Sequence, residues 1–455
     1  MIMKKLLYAL LALLCTGQLA ACAPAVPGSS APSQPEGTND GPLDTVALYA
    51  WWYDSAKGAF WKACGYNAVQ LIDLGWNYHA ETLLDGYIED VAEQIDRAHA
   101  DGFKVYILLM NNIEQYHGPA DRGPDMGDLY DPADEAKTAE RLGWLERNIK
   151  AWNKADGFSL MAADPGGVTE DMTGSGTGYY VEMAKRIREL VRRHAPQASF
   201  HVNTWAIAWC DTAFCNYAAV YEQPAYWNRM DEMANEVARA IADTDIGIEL
   251  TAQDYYQRVT LNVYSQQYES KDRFPLYPKA QDVAFLLDGS RHVWAWPYYF
   301  VDTISTRVEI GTRYLYQYVN DMRALGVNGL VADWSEAGYH YHALNTYAVA
   351  RFCNDVTATP EQVIEEYAAL IADGSTYKKL AEVLKFIENN SVYQTYPIGD
   401  ARLEPFETAV VNATVATNLM KKVVPNAEKS PLLTRSPAEV CALISERLEQ
   451  LQYIG

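Results

Sequence analysis

The stretch Gly157-Phe-Ser-Leu-Met-Ala-Ala-Asp-Pro-Gly-Gly167 predicts the fold of this chain. Its first part, Phe158 to Ala163, is short and mostly apolar, and it stops at Asp164 and the turn residues that follow. A buried strand ends in this way, because proline cannot donate to a sheet and glycine tolerates positive φ. Helical patterns flank the strand, over residues 136–155 before it and 178–194 after it. A buried strand between two amphipathic helices is the repeating unit of α/β folds.

The same alternation of strand and helix continues along most of the chain. Nine segments have strand character: residues 45–53, 67–73, 103–110, 158–163, 199–205, 218–222, 246–251, 293–300 and 327–334. Eight parallel strands close a barrel, so one of the middle segments is expected to lie outside it. Gly102 and Gly157, each between a helix and a strand, are predicted to cap helices. We predict an α/β fold, a (β/α)8 TIM barrel over residues 45–340, followed by an α-helical C-terminal region over residues 341–455.

The first 44 residues carry signals of export rather than of a folded domain. Two lysines precede the apolar run Leu6–Leu14, and Leu-Ala-Ala then leads to Cys22, which resembles the lipobox of bacterial lipoproteins. The alternative is an ordinary signal peptide that happens to contain this cysteine. Residues 23–44 are rich in Pro, Ser, Gly and Ala, as in a flexible linker. We predict a lipoprotein signal peptide over residues 1–22 and a protein held at the cell envelope, facing outside the cytoplasm, that meets the membrane only through its lipid.

Composition excludes several kinds of partner. The formal net charge of −22 argues against nucleic acid and against an anionic membrane face. No cysteine pair has the C-x-x-C spacing of a zinc site; Cys210 and Cys215 either close a small disulfide loop or are inert thiols. His340 and His342 have no third ligand near them in sequence. We therefore predict neither a metal nor a cofactor.

The residues that follow the strand ends are of two kinds, and in a barrel these ends carry the working groups. The carboxylates are Asp73, Asp164, Glu222, Asp302, Asp333 and Glu336. The aromatics include Trp51, Tyr53, Trp205, Trp294, Trp296 and Tyr298. Flat apolar faces beside hydrogen-bonding edges suit sugar rings, and paired carboxylates are what glycoside cleavage requires. The combination points to a carbohydrate substrate.

Asp164 and Glu336 are the predicted catalytic pair, with Glu222 or Asp333 as the substitute for either. One acid would protonate the leaving oxygen, while the other would attack the anomeric carbon or activate water. Each also has a structural interpretation, since Asp164 could bond amides in its own turn and Asp333 could cap a helix. Glu249, within a strand, is interpreted as an inward ion-pair partner.

Five residues near the strand ends are predicted to hold the sugar. They are Trp51, Asn203, Trp205, Trp296 and Tyr298. A single tryptophan more often packs in the hydrophobic core than stacks against a sugar ring. The prediction therefore depends on the clustering of several tryptophans at the strand ends.

Several of these segments resemble bacterial glycoside hydrolase barrels. They are Ala-Ala-Asp164-Pro-Gly-Gly, Val-Asn203-Thr-Trp205 and Asp-Trp-Ser-Glu336-Ala-Gly. The helical segment 343–367 is similar to the one that follows the barrel in α-glucuronidase-like and N-acetylglucosaminidase-like enzymes. The likeness covers residues 45–390 and implies a glycoside hydrolase. Because Pro165 follows Asp164, the Asp-Glu pair of β-hexosaminidases is not present, which leaves the sugar and the linkage open.

Together these observations predict a surface-anchored glycoside hydrolase with a two-carboxylate mechanism. One alternative is a non-catalytic glycan-binding lipoprotein on the same scaffold, which would keep the aromatics and lose the carboxylates. A second is a structural surface protein whose aromatics are plain core.

Overall fold

Eight parallel β-strands form a closed barrel in which each strand pairs with its neighbours in chain order and β8 returns to β1. The computed structural model describes residues 41–73, 81–109, 134–161, 176–205, 207, 224–251, 292–296, 310–324, 326–332, 339–371 and 376–390. The strands are β1 (Thr45–Ala50), β2 (Ala68–Ile72), β3 (Lys104–Leu109), β4 (Gly157–Met161), β5 (Ser199–Asn203), β6 (Gly247–Thr251), β7 (Val293–Trp296) and β8 (Gly329–Ala332). The predicted barrel is confirmed. It closes without the ninth candidate, residues 218–222, which lie outside the described residues.

Nine helices lie within the described residues, most of them between strands. They are α1 (Ser55–Cys64), α2 (Glu81–Ala100), α3 (Glu135–Ala151), α4 (Gly176–His194), α5 (Pro224–Ala240), α6 (Thr312–Ala324), α7 (Tyr339–Asn354), α8 (Pro360–Ile371) and α9 (Thr376–Asn390). Local chemistry sets the ends of several. Asp54 caps α1 by accepting a hydrogen bond from the Lys57 amide at 2.9 Å. Thr359 and Gln362 form a reciprocal capping box at the start of α8.

The helices α7 to α9 follow the last strand and belong to the predicted helical region after the barrel. Helix α7 packs against α6, and α8 packs against α9. The carboxylate of Glu388 on α9 accepts hydrogen bonds from the Thr312 hydroxyl at 2.6 Å and the Arg313 amide at 2.8 Å. It therefore caps the first turn of α6 from a separate helix. The helices predicted beyond residue 390 lie outside the described residues.

Two glycines between helices and strands behave differently. Gly102 has φ +83° and forms the C-terminal cap of α2, since its backbone amide donates a hydrogen bond to the His99 carbonyl. The same prediction for Gly157 is wrong, because this residue is the first of β4 and α3 ends at Ala151. A Cβ on Gly157 would lie 2.4 Å from the Ser199 hydroxyl oxygen. Close packing inside the barrel, rather than a turn, is what requires glycine there.

The barrel interior is filled by side chains in layers, as in other closed eight-stranded barrels. The lower layer, towards the amino ends of the strands, contains Tyr106, His201 and Trp294, with the Trp294 ring centroid 4.7 Å from that of Tyr106. The middle layer contains Gln70, Ser159 and Glu249, which are joined by hydrogen bonds. The upper layer contains Tyr49, Asn203 and Trp296. In the described part of the chain, no helix is long and apolar enough to cross a bilayer.

Candidate active site

The upper layer forms the floor of the carboxyl-terminal mouth of the barrel, where enzymes of this architecture carry their active sites. Trp296, the last residue of β7, contacts Tyr49 and Trp205 edge to face, at centroid distances of 5.5 and 5.4 Å. The indole N–H of Trp296 donates to the Gln70 side-chain oxygen at 3.3 Å. This bond links the aromatic floor to the polar layer below it.

Glu249 is the centre of a buried polar network beneath this floor. Its side chain has no exposed surface. One carboxylate oxygen accepts from Gln70 at 2.8 Å, from His201 Nδ1 at 3.2 Å and from the Ser159 hydroxyl. The other accepts from the Asn203 amide at 2.9 Å. Four donors on one carboxylate satisfy a buried negative charge that would otherwise be costly.

The charge on Glu249 is supported by its neighbours. Burial acts to raise the pKa of this carboxyl, but the hydrogen bond and positive charge of His201, together with the bonds from Ser159 and Asn203, outweigh it and lower the pKa. A buried carboxylate also needs a counter-ion, and His201 is the ion-pair partner in contact with it. The contact with His201 agrees with the interpretation of Glu249 as an inward ion-pair partner.

The network continues downward from His201. Its Nε2 lies 3.0 Å from Nδ1 of His292, whose ring stacks on Trp294 at 14°. Burial and the nearby charges of His201 and Lys104 lower the pKa of His292 to about 4, so this ring is neutral at pH 7.

The predicted sugar-holding residues fall into two groups. Trp51, directly after β1, is 44% exposed, and its neighbour Trp52 is 43% exposed with the Lys57 ammonium 4.1 Å above its ring. Asn203 and Trp205 are buried, and both atoms of the Asn203 amide are used, Nδ2 by Glu249 and Oδ1 by the Trp205 backbone N–H at 2.7 Å. Their predicted contacts with sugar stay predictions.

The other predicted site residues lie outside the described residues. These are Asp164, Glu222, Asp333, Glu336, Tyr298 and Cys22. Asp333 directly follows Ala332, the last residue of β8. The roles assigned to these residues remain predictions.

Two aromatics expected at the strand ends lie elsewhere. Trp294 belongs to the lower layer, beside His201 and Tyr106, because it precedes the end of β7 by two residues. Tyr53 is buried under α1 against Trp61 and donates its hydroxyl to Asp101 at 2.6 Å. Neither faces the mouth.

The polar network is the feature that sequence reasoning missed, although a signal exists. Gln70, Ser159 and Glu249 are each the third residue of an otherwise mostly apolar strand. A polar residue at the same position of three alternate strands indicates one shared layer in a closed barrel. Among the described residues no group of three or more His, Cys, Asp or Glu side chains has the geometry of a metal site.

No protein-family profile matches the chain, and no curated protein matches it in sequence. Solved structures of glycoside hydrolases with barrels resemble its fold. A GH5-4 broad-specificity endoglucanase from an uncultured bacterium is 10% identical, with a TM-score of 0.40 over 66% of this chain and 84% of that one. CpGH84B is 12% identical, with a TM-score of 0.45 over 89% and 67%. The catalytic domain of a beta-amylase from Paenibacillus polymyxa is 9% identical, with a TM-score of 0.39 over 69% and 95%. Such a likeness concerns the barrel and assigns no activity to the chain.

Proposed function

We propose that this protein is a glycoside hydrolase whose active site is the carboxyl-terminal mouth of the barrel. One observation supports this most strongly. The mouth has a floor of aromatic rings, Tyr49, Trp205 and Trp296, and the exposed Trp51 directly follows β1 at the same end of the barrel. An indole face left open to solvent at a barrel mouth suits the apolar face of a sugar ring.

The proposed chemistry uses two carboxylates from the segments that follow β4 and β8. Asp164 and Glu336 are the proposed pair, and Glu222 or Asp333 is the substitute for either. One carboxyl group protonates the glycosidic oxygen as the bond to the anomeric carbon breaks. The other attacks that carbon, or removes a proton from the water that does so. A separation of about 5 Å between them would give retention and about 6.5–9.5 Å inversion.

Trp51, Asn203, Trp205, Trp296 and Tyr298 are proposed to hold the sugar. The buried members act from below, because the hydrogen bonds of Asn203 and Trp296 to Glu249 and Gln70 fix the floor on which the sugar rests. A floor that is already ordered lowers the entropy lost on binding. Trp51 is the member proposed to stack directly on a ring.

Hydrolysis of a panel of aryl glycosides tests this function. The panel covers uronosyl, N-acetylhexosaminyl, galactosyl and glucosyl groups, and compares the wild type with Asp164→Asn and Glu336→Gln. Asp96→Asn and Glu382→Gln, which change exposed acids on the outer helices α2 and α9, are the matched controls. Loss of turnover in the first two variants alone, with folding intact by circular dichroism, supports the proposal.

Two other outcomes of the panel would overturn parts of the proposal. Sugar binding without turnover of any substrate would favour the non-catalytic glycan-binding protein. Turnover that survives both changes would mean that the reaction uses other carboxylates.

We also propose that the protein is a lipoprotein held at the cell envelope through Cys22 and facing outside the cytoplasm. The lipobox-like Leu-Ala-Ala-Cys22 and the linker-like composition of residues 23–44 support this. Incorporation of a labelled fatty acid in a bacterial host should be lost in Cys22→Ser and kept in Cys15→Ser. Labelling that persists in Cys22→Ser would contradict the anchor.

A further inference from the structure

A second cavity lies at the opposite end of the barrel from the proposed active site. It has a volume of about 460 Å³, within the range of small-molecule sites. Its walls come from the amino ends of β3, β5 and β6 and from the loop before β5, and its floor includes His201 and His292. Residues at this end of a TIM barrel usually contribute to stability rather than to binding. An open cavity lined by polar side chains is therefore unexpected there.

The carboxylates that line the cavity already accept hydrogen bonds from other residues. Asp156 accepts hydrogen bonds from His99 at 2.9 Å and from the Val105 amide at 2.8 Å. Asp245 accepts from two guanidinium groups, those of Arg188 and Arg192. These acids therefore have little capacity left to bind a cation.

Two other side chains that line the cavity, Lys104 and Ser199, have no acceptor among the described residues. The Lys104 ammonium forms no ion pair among the described residues. The Ser199 hydroxyl oxygen is buried and has no hydrogen-bond partner in the same part of the chain. The His292 ring, hydrogen-bonded to His201 through Nδ1, lines the same space. Arg188 also lines the cavity, but its guanidinium is paired with Asp245.

We propose that this cavity is a binding site for a small oxyanion, a carboxylate or a phosphate group on a small molecule. Oxyanion oxygens accept charge-assisted hydrogen bonds from an ammonium group and ordinary ones from a hydroxyl. Such a ligand would satisfy the Ser199 hydroxyl, which is otherwise costly to bury. The site is independent of the proposed glycosidase activity, because it opens at the other end of the barrel.

Titration with inorganic phosphate and with malonate tests the site and distinguishes the two oxyanion chemistries. The readout is the imidazole ¹⁵N–¹H spectrum of the full-length protein, which contains eight histidines. Chloride at equal ionic strength is the reference. Binding should shift the signals of His292 and His201, identified from His292→Gln and His201→Gln spectra, with saturation by at least one of the two anions.

Lys104→Gln should weaken that binding about tenfold or more, since it removes the charge-assisted bond, and Ser199→Ala should weaken it several-fold. Lys378→Gln, which removes an equal charge from the exposed surface of α9, should leave it unchanged. Lys104 is itself exposed, so its replacement leaves the core packing intact, and circular dichroism checks this. No saturable shift with either anion would overturn the proposal. So would equal affinities in the wild type, Lys104→Gln and Ser199→Ala.

Discussion

Replacing Glu249 by glutamine should destabilise the barrel by about 3 kcal/mol at pH 7. The carboxylate accepts hydrogen bonds from Gln70, Ser159 and His201 on one oxygen and from Asn203 on the other. An amide of the same shape keeps one acceptor oxygen but replaces the other by a donor. If the oxygen stays with the first three groups, the new N–H₂ faces the N–H₂ of Asn203.

The expected loss of stability depends on the charge that Glu249→Gln removes and on the hydrogen bonds that glutamine keeps. Removing one partner of a buried ion pair costs about 3–5 kcal/mol, because the other charge is left uncompensated. His201 would be that charge, in a site without solvent access. Glutamine retains three of the four acceptor contacts, so the loss should fall at the low end of this range.

Urea unfolding followed by far-ultraviolet circular dichroism measures the effect. Glu382→Gln, an exposed change on α9, is the control and should stay within about 0.5 kcal/mol of the wild type. The folded-state pKa of Glu249 lies below its ordinary value, so its stabilisation is complete above the unfolded pKa of about 4.3 and is lost as pH falls through the folded pKa. The difference between the wild type and Glu249→Gln should therefore narrow in acid.

Two results would refute this reasoning. One is a Glu249→Gln variant within about 0.5 kcal/mol of the wild type at pH 7, which would mean that the network is not a counter-ion site. The other is a stability difference that stays constant as the pH falls below the unfolded pKa.

Three further predictions concern other parts of the fold. Glu388→Gln should cost less than about 1 kcal/mol at pH 7, because an amide oxygen can still accept from Thr312 and Arg313. Burial raises the pKa of Glu388, so the contribution of this residue to the unfolding free energy falls as the pH rises through its folded pKa. In urea unfolding at several pH values, the glutamine variant should not show this fall. Gly157→Ala should lower the unfolding free energy by about 1–3 kcal/mol through its clash with Ser199, whereas Gly86→Ala, in open space on α2, should raise it slightly; thermal melts compare the two. Trp51→Ala should weaken glycan binding about tenfold by fluorescence titration, while Trp144→Ala, 45% exposed on α3, should not; equal effects of both would refute a platform at Trp51.

Much of the fold was predictable because buried parallel strands leave a clear pattern. The run Phe158–Ala163 predicts β4, which spans Gly157–Met161, and α7 to α9 lie within the predicted α-helical region after the barrel. The role of Gly157 was not predictable, because it depends on Ser199 and Tyr106, which lie on neighbouring strands. A local sequence pattern can predict that a glycine lies in a turn. It cannot predict that side chains from neighbouring strands leave no room for a Cβ at that position.

The candidate site was harder to predict for a related reason. A strand that is buried on both sides reads as a continuous apolar run, so the sequence does not tell which residues point into the barrel. Glu249 was noticeable as a lone charge in β6, but its partner His201 lies 48 residues earlier. The pairing of β5 with β6 brings them together. Trp294 and Trp296 show the same limit, since two residues along β7 separate the lower layer from the upper one.

Cleavage of glycosidic bonds by two carboxylates at the carboxyl-terminal mouth of the barrel is tested most directly by ¹H NMR of the anomeric protons. The protein is incubated with the aryl glycoside that the panel selects, with the wild type and Glu336→Gln in parallel. The wild type should release a free sugar of one anomeric configuration first, and the variant should release none above the uncatalysed rate. Release of sugar at equal rates by both proteins, or by neither, would contradict it.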